Sequence, residues 1–357
     1  MDLIPASSGE HTMQAWTRRR LLLGAVALAA LIGGWAGGAA AEELRILAWQ
    51  GYADDDWVAE FEKATGAEVS VVYAQTDDEI WSKMKGSEGE DFDLFAVNTS
   101  ELQRYIDAGL AVPHDLAQLP NQQQTLPQFR DLAQVRGVTR DGKVYGIPFA
   151  FDSIGLLYDT TKVSTPPDSM NVLWDPAYKG KILLYDASAH NFSCAALGEG
   201  IENPFALSDA QLQGIKQKLI ELQANALSYY QSSDEALQIY QNNDVALIFA
   251  NFGQQQLKLM QDAGAPVAYV VPKEGALAWL DTWALSKGAK NPELAEKWVN
   301  FVLQEKISDA LTQRNGFGNT VTPLASAGAH DKFVWLLPVE DFQKRNDLWN
   351  EVKAAAP

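Results

Sequence analysis

The sequence predicts an α/β protein of two lobes, each a mixed, mostly parallel sheet flanked by helices and joined by a two-segment hinge. Three observations predict it. The chain has 357 residues, longer than one hydrophobic core usually supports. From Glu42 onward, short β-rich runs alternate with amphipathic segments, the pattern of βαβ units. After residue 276 the pattern of the first part returns, as when one lobe is interrupted by another.

The elements follow in order. Residues 44–49 read as a strand, and Trp57, Val58, Phe61 and Ala64 recur at helical spacing before Gly66, a residue suited to a helix C-terminus. Residues 69–73 alternate as a strand does, and a helix with Ile80 and Met84 on one face ends near Gly86. A third strand at 92–97 leads into a helix carrying Leu102, Tyr105 and Ile106 that ends near Gly109. In such sheets ligands sit at the carboxyl ends of the strands. That places Trp49-Gln50-Gly51-Tyr52 and Asn98-Thr99-Ser100-Glu101 at the mouth. Further strands are expected at 181–185, 245–249 and 283–285, with helices over 208–225 and around Ala295, Trp298, Val299 and Val302. Extended segments near 149–154 and 270–273 would join the lobes.

The N-terminus predicts the compartment. Thr17-Arg18-Arg19-Arg20 leads into Leu21-Leu22-Leu23 and an apolar run closing on Ala39-Ala40-Ala41, the three parts of a secretory signal cleaved near Ala41. The paired arginines suit the twin-arginine route, with the general route and an uncleaved anchor as alternatives. The net charge of −18 repels nucleic acid and favours cations. The one cysteine, Cys194, forms no intramolecular bridge and reads as a buried small residue.

Catalytic signatures fail. There is no Gly-x-Ser-x-Gly elbow, His-Glu-x-x-His, P-loop or dinucleotide glycine pattern. His114, His190 and His330 have no partner at metal-ligand spacing. The expectation is therefore no catalytic residue, no metal and no cofactor. What stands out is aromatic residues beside acids at strand ends: Trp49 and Tyr52, then Trp279-Leu280-Asp281-Thr282-Trp283. A cation over an indole gains about 0.5–2 kcal/mol, and a carboxylate adds a charge-assisted bond.

Several segments in order resemble the spermidine/putrescine-binding group of periplasmic solute-binding proteins. They are Leu47-Ala48-Trp49-Gln50-Gly51-Tyr52, Phe61-Glu62-Lys63-Ala64-Thr65-Gly66, Gly142-Lys143-Val144-Tyr145-Gly146-Ile147-Pro148, Leu173-Trp174-Asp175-Pro176-Ala177-Tyr178-Lys179-Gly180-Lys181 and Pro272-Lys273-Glu274-Gly275-Ala276-Leu277-Ala278-Trp279-Leu280-Asp281. The resemblance implies the type 2 periplasmic-binding fold: a signal peptide over 1–41, lobe 1 over 42–152 and 274–325, lobe 2 over 153–273, and a C-terminal helical segment over 326–357. It implies a monomer that hands a small amine to the permease of an ABC importer. For the site it implies Trp49 and Tyr52 stacking on the ligand, Trp279 as a wall, Asp281 as an amine's counter-ion, and Thr99 and Glu101 as pocket side chains. Three departures stand out. His190 occupies the position aligned with the acid that usually follows the 181–185 strand, and Phe249 replaces an expected tryptophan. Asp152 lies in the hinge, where relatives carry small or neutral residues. The second counter-ion is thus Glu101, Asp152 or Asp186, or the ligand has one cationic group. A zwitterion or organic anion met by His190 or Arg314 is the rival ligand, and an exported hydrolase or cofactor protein the rival class.

Overall fold

The computed structural model describes residues 41–323 and 333–355. The export signal expected over 1–41 lies outside them apart from its last residue, as does His330.

Glu43–Trp49 (β1) lies between Glu68–Ala74 (β2) and Leu94–Asn98 (β3), all parallel. The connecting helices are Asp55–Thr65 (α1) and Asp77–Gly86 (α2), and Thr99–Asp107 (α3) follows β3 directly. Local chemistry sets the boundaries. Gly66 ends α1 in the left-handed conformation, at φ 75°, which costs glycine nothing. Thr76 caps α2 by accepting from the Glu79 N–H. The Asn98 side chain caps α3 by accepting from the N–H groups of Ser100 and Glu101.

Ile147–Asp159 (β4) is buried along its whole length. Next come strand Ile182–Tyr185 (β5), helices Ser188–Gly198 (α4) and Asp209–Leu222 (α5), and strand Ala226–Tyr230 (β6). Helix Ser233–Asn242 (α6), strand Leu247–Ala250 (β7), helix Gly253–Asp262 (α7) and strands Val267–Val270 (β8) and Ala276–Ser286 (β9) complete the middle. Helices Pro292–Val302 (α8), Glu305–Asn315 (α9) and Phe342–Ala354 (α10) follow. The main strand order is β2-β1-β3-β9-β4-β7-β5-β6.

The long β4 joins two cores. Its first half pairs antiparallel with β9 (Ile154 with Leu277, Ile147 with Trp283). Its second half pairs antiparallel with β7 and β8 (Gly155 with Ala250, Leu156 with Val270). One core gathers Trp57, Phe61, Phe149, Trp283 and Trp298. The other gathers Leu156, Leu184, Phe192, Leu212 and Leu219, and takes in Leu348, Trp349 and Val352 of α10. The C-terminal helix thus packs on the second core. Cys194 is buried there too, and burial pushes its thiol well above the usual range.

His114 is a buried structural residue. Its Nδ1 lies 2.8 Å from the Glu296 carboxylate and its Nε2 3.0 Å from the Trp283 carbonyl.

Candidate functional site

A cavity of about 210 Å³ opens where the carboxyl ends of β1, β2 and β3 and the middle of β9 face the ends of β5, β6 and β7. From the first side come Trp49, Asp77, Asn98, Trp279 and Asp281; from the second come Tyr185, His190, Asn251 and Phe252. Among the described residues the lining holds three carboxylates, Asp77, Asp234 and Asp281, and no lysine or arginine.

Asp281 sits beside a register shift in β9, opposite Asn98 and Ala150. Its Oδ2 accepts from the Tyr52 hydroxyl at 2.7 Å. Burial pushes its carboxyl up to about 7, against the lowering effect of that bond. Tyr52 is itself 1% exposed, packed edge-on against Phe149, Trp283 and Phe317. It therefore lies beneath the cavity and orients Asp281, where the resemblance implied stacking on the ligand.

Asp77 opens α2, and its Oδ1 accepts from the Asn98 amide at 3.3 Å. A helix N-terminus favours an anion. Burial, and then the neighbouring charges of Glu101 and Asp281, nevertheless raise its carboxyl well above the usual range. Sequence reasoning missed this residue. The signal was there: Asp77 follows the strand over 69–73, and the rule that sites gather at carboxyl strand ends covers that strand as well as its neighbours.

The opposite wall is aromatic. The Tyr185 ring stacks near His190 (centroids 6.0 Å, 23°) and meets Phe252 edge-on at 5.5 Å. His190 Nδ1 lies 2.7 Å from Asn251 Oδ1, and burial lowers the pKa of its ring. Across the cavity, Trp279 meets Phe317 edge-on at 5.8 Å.

Six of the ten sequence-predicted residues are elsewhere or act indirectly. Tyr52 supports Asp281 from below. Thr99 is buried and lines neither this cavity nor the next. Phe249 is buried in the second core, while Phe252, three residues on, lines the cavity. Asp152 caps α7, its Oδ2 accepting from the Gln254 N–H at 2.7 Å and its Oδ1 from the Ser153 N–H at 2.7 Å; burial pushes it up to about 8. Asp186 accepts from Trp349 Nε1 at 2.7 Å and Lys353 Nζ at 2.9 Å. Burial opposes its ionisation, but these bonds prevail and hold it below the usual carboxylate range. Glu101 lines an adjoining cavity of about 360 Å³ that shares Asp77, Asn98, His190 and Leu336 with the first. Its carboxylate lies 2.6 Å from the Arg104 guanidinium. The site residues predicted at Trp49, His190, Trp279 and Asp281 do meet in one cavity. Arg314 lines neither cavity and grips Asp56 through two bonds of 2.7 Å.

Residues 56–335 match the family described as bacterial extracellular solute-binding protein. The spermidine/putrescine-binding periplasmic protein 1 of Haemophilus influenzae is 26% identical over 282 residues, covering 78% of this chain and 75% of that protein. The putrescine-binding periplasmic protein of Escherichia coli is 28% identical over 303 residues, 80% of each chain. A solved structure described as a putative spermidine/putrescine ABC transporter from Listeria monocytogenes superposes with a TM-score of 0.75 at 22% identity, over 88% of this chain and 99% of that one. These likenesses agree with the α/β fold described above, in which one long strand joins two cores.

Proposed function

The chain belongs to the bacterial extracellular solute-binding proteins, and on that premise we propose that it is the exported, substrate-binding component of an ABC importer for a small amine cation of the putrescine or spermidine kind. The observation that carries this reading is the cavity lined by Asp77, Asp234 and Asp281 with no lysine or arginine among the described residues. A buried anion there would lack any counter-ion, whereas an ammonium finds a carboxylate oriented by Tyr52 and aromatic faces at Trp49, Trp279 and Phe252. The names of the relatives point to the same ligand class.

Trp49, Trp279 and Asp281 are the ligand-binding residues, Asp77 joins them, and Tyr52 positions Asp281. Residues 42–152 and 274–325 form one lobe and 153–273 the other, with β4 as one hinge segment and 270–273 as the second. A ligand touching both sides stabilises the closed form by those differential contacts, and the closed monomer docks on the membrane permease. The leader over residues 1–41 directs export and is removed. No step of this cycle requires a cofactor or a catalytic group.

Calorimetry of the ligand-free protein with putrescine, spermidine, choline and acidic amino acids tests the reading. Binding of an amine, weakened in Asp281→Asn, is expected; binding of an anion and of no cation refutes it.

A further inference from the structure

The two sides of the cavity differ in kind. On the first side stand the buried Asp281 and the half-buried Asp77, with their own supports in Tyr52 and Asn98. On the second side, where the resemblance implied another acid, His190 is paired with Asn251 at 2.7 Å. Asn251 Oδ1 can only accept, so His190 Nδ1 donates to it, leaving Nε2 as an acceptor and the Asn251 amide nitrogen as a donor. Neither of those atoms has a hydrogen bond among the described residues, and both residues line the cavity. Rotating the amide by half a turn exchanges the roles without changing the sum. In either arrangement the pair offers N–H donors and an acceptor, and no charge.

Resting on the amine reading above, we propose that this site takes an amine with a single cationic end, its far end being a neutral amide: the class of mono-acylated diamines. The ammonium lies at Asp281 and Asp77. The amide presents one N–H and one C=O to the His190–Asn251 pair, which supplies the complementary acceptor and donor. A free diamine would bring a second ammonium to a wall where His190 and Asn251 provide no counter-ion, and burying an unpaired charge costs more than burying a paired amide. Asp234 is the one acid on the second side. It is exposed, and water weakens its attraction accordingly. A carboxylate end fares no better, because no lysine or arginine among the described residues lines this cavity. Burial lowers the His190 pKa against the raising effect of the Asn251 bond, which disfavours a charge on this wall.

Isothermal titration of the purified, ligand-free protein with putrescine, N-acetylputrescine and 4-aminobutanoate, at pH 7.5, tests this. N-acetylputrescine is expected to bind about tenfold or more tighter than putrescine, the scale on which a site built for hydrogen bonds rejects a mismatched end. His190→Glu is expected to reverse that order by supplying the missing charge; the comparison in the unaltered protein decides even where that variant fails to fold. Putrescine binding as tightly as, or tighter than, its acetylated form overturns the inference and leaves the amine reading standing. Preference for 4-aminobutanoate overturns it in favour of a zwitterion. Binding of no amine at all by folded protein overturns both.

Discussion

Replacing Asp281 with asparagine should make the empty protein more stable at alkaline pH while abolishing tight binding of an amine. Burial raises this carboxyl from its ordinary 3.8 to about 7. At 1.36 kcal/mol for each tenfold change, ionising it in the empty folded site costs about 4 kcal/mol. The folded chain holds a proton that the unfolded chain releases. Its stability is therefore highest below about pH 4, falls as pH rises towards 7, and levels off above that. The amide variant carries no charge and keeps an oxygen to accept from Tyr52, so it escapes the fall. Urea unfolding of ligand-free protein, followed by tryptophan fluorescence at pH 4.5 and 8, should show the variant gaining about 3 kcal/mol more at the higher pH. Amine affinity should meanwhile drop by about 1.5–3 kcal/mol, the value of a hydrogen bond to a charged group. Equal destabilisation of the variant at both pH values would refute the reasoning, since it would mean that Asp281 is ionised and satisfied in the empty site.

Three further outcomes follow from the same geometry. Amine affinity should rise roughly tenfold per pH unit up to about pH 7 and then flatten; a flat titration from pH 5 to 8 would remove Asp281 as the counter-ion. Asp186→Ala should leave amine affinity within about twofold while lowering stability by about 1–3 kcal/mol, because Trp349 and Lys353 lose their acceptor; loss of binding would put Asp186 back in the site. Gly253→Ala should destabilise by about 1–3 kcal/mol, since Gly253 has φ 51° and an added methyl group would meet the Asp152 carboxylate; an unchanged melting temperature would show that the cap of α7 is not tight.

The fold was largely legible because its periodicities are clean. Ile80 and Met84 at helical spacing, and Val69, Val71 and Tyr73 at strand spacing, mark elements that the structure contains. Helices α4, α6, α7 and α9 escaped: α4 is buried along most of its faces, so it lacks the amphipathic stripe that reveals a helix, and α7 has no cap of its own in sequence. Its cap is Asp152, about a hundred positions earlier, whose carboxylate was read as a candidate counter-ion. The same limit governed the site. Sequence shows that an acid exists, and only the fold shows what it touches. Asp186 and Asp152 have partners inside the protein, Asp281 has one hydroxyl, and Asp77 has one amide at 3.3 Å. Trp49 closes a strand identified in the sequence, whereas Trp279 and Asp281 lie in the middle of β9, and the fold brings all three to one cavity.

The empty site holds together by a device that also makes it selective. Asp77 and Asp281 face one cavity, each raising the cost of ionising a carboxylate there; among the described residues no lysine or arginine lines it, and the Arg104 guanidinium, which donates to the Asp77 carbonyl at 3.0 Å, opposes that rise only in part. A lysine or arginine bonded to the carboxylate oxygens themselves would have stabilised the fold and competed with the ligand for them. Leaving the acids to be satisfied by protonation, a tyrosine hydroxyl and an asparagine amide keeps them available at modest cost. An arriving ammonium displaces the proton from Asp281 and relieves the repulsion towards Asp77. Its binding energy is therefore largest in the state where both sides of the cavity enclose it and water is excluded. The stability forgone in the empty protein reappears as differential affinity for the closed, cation-filled one, which ties recognition of charge to closure of the chain around it.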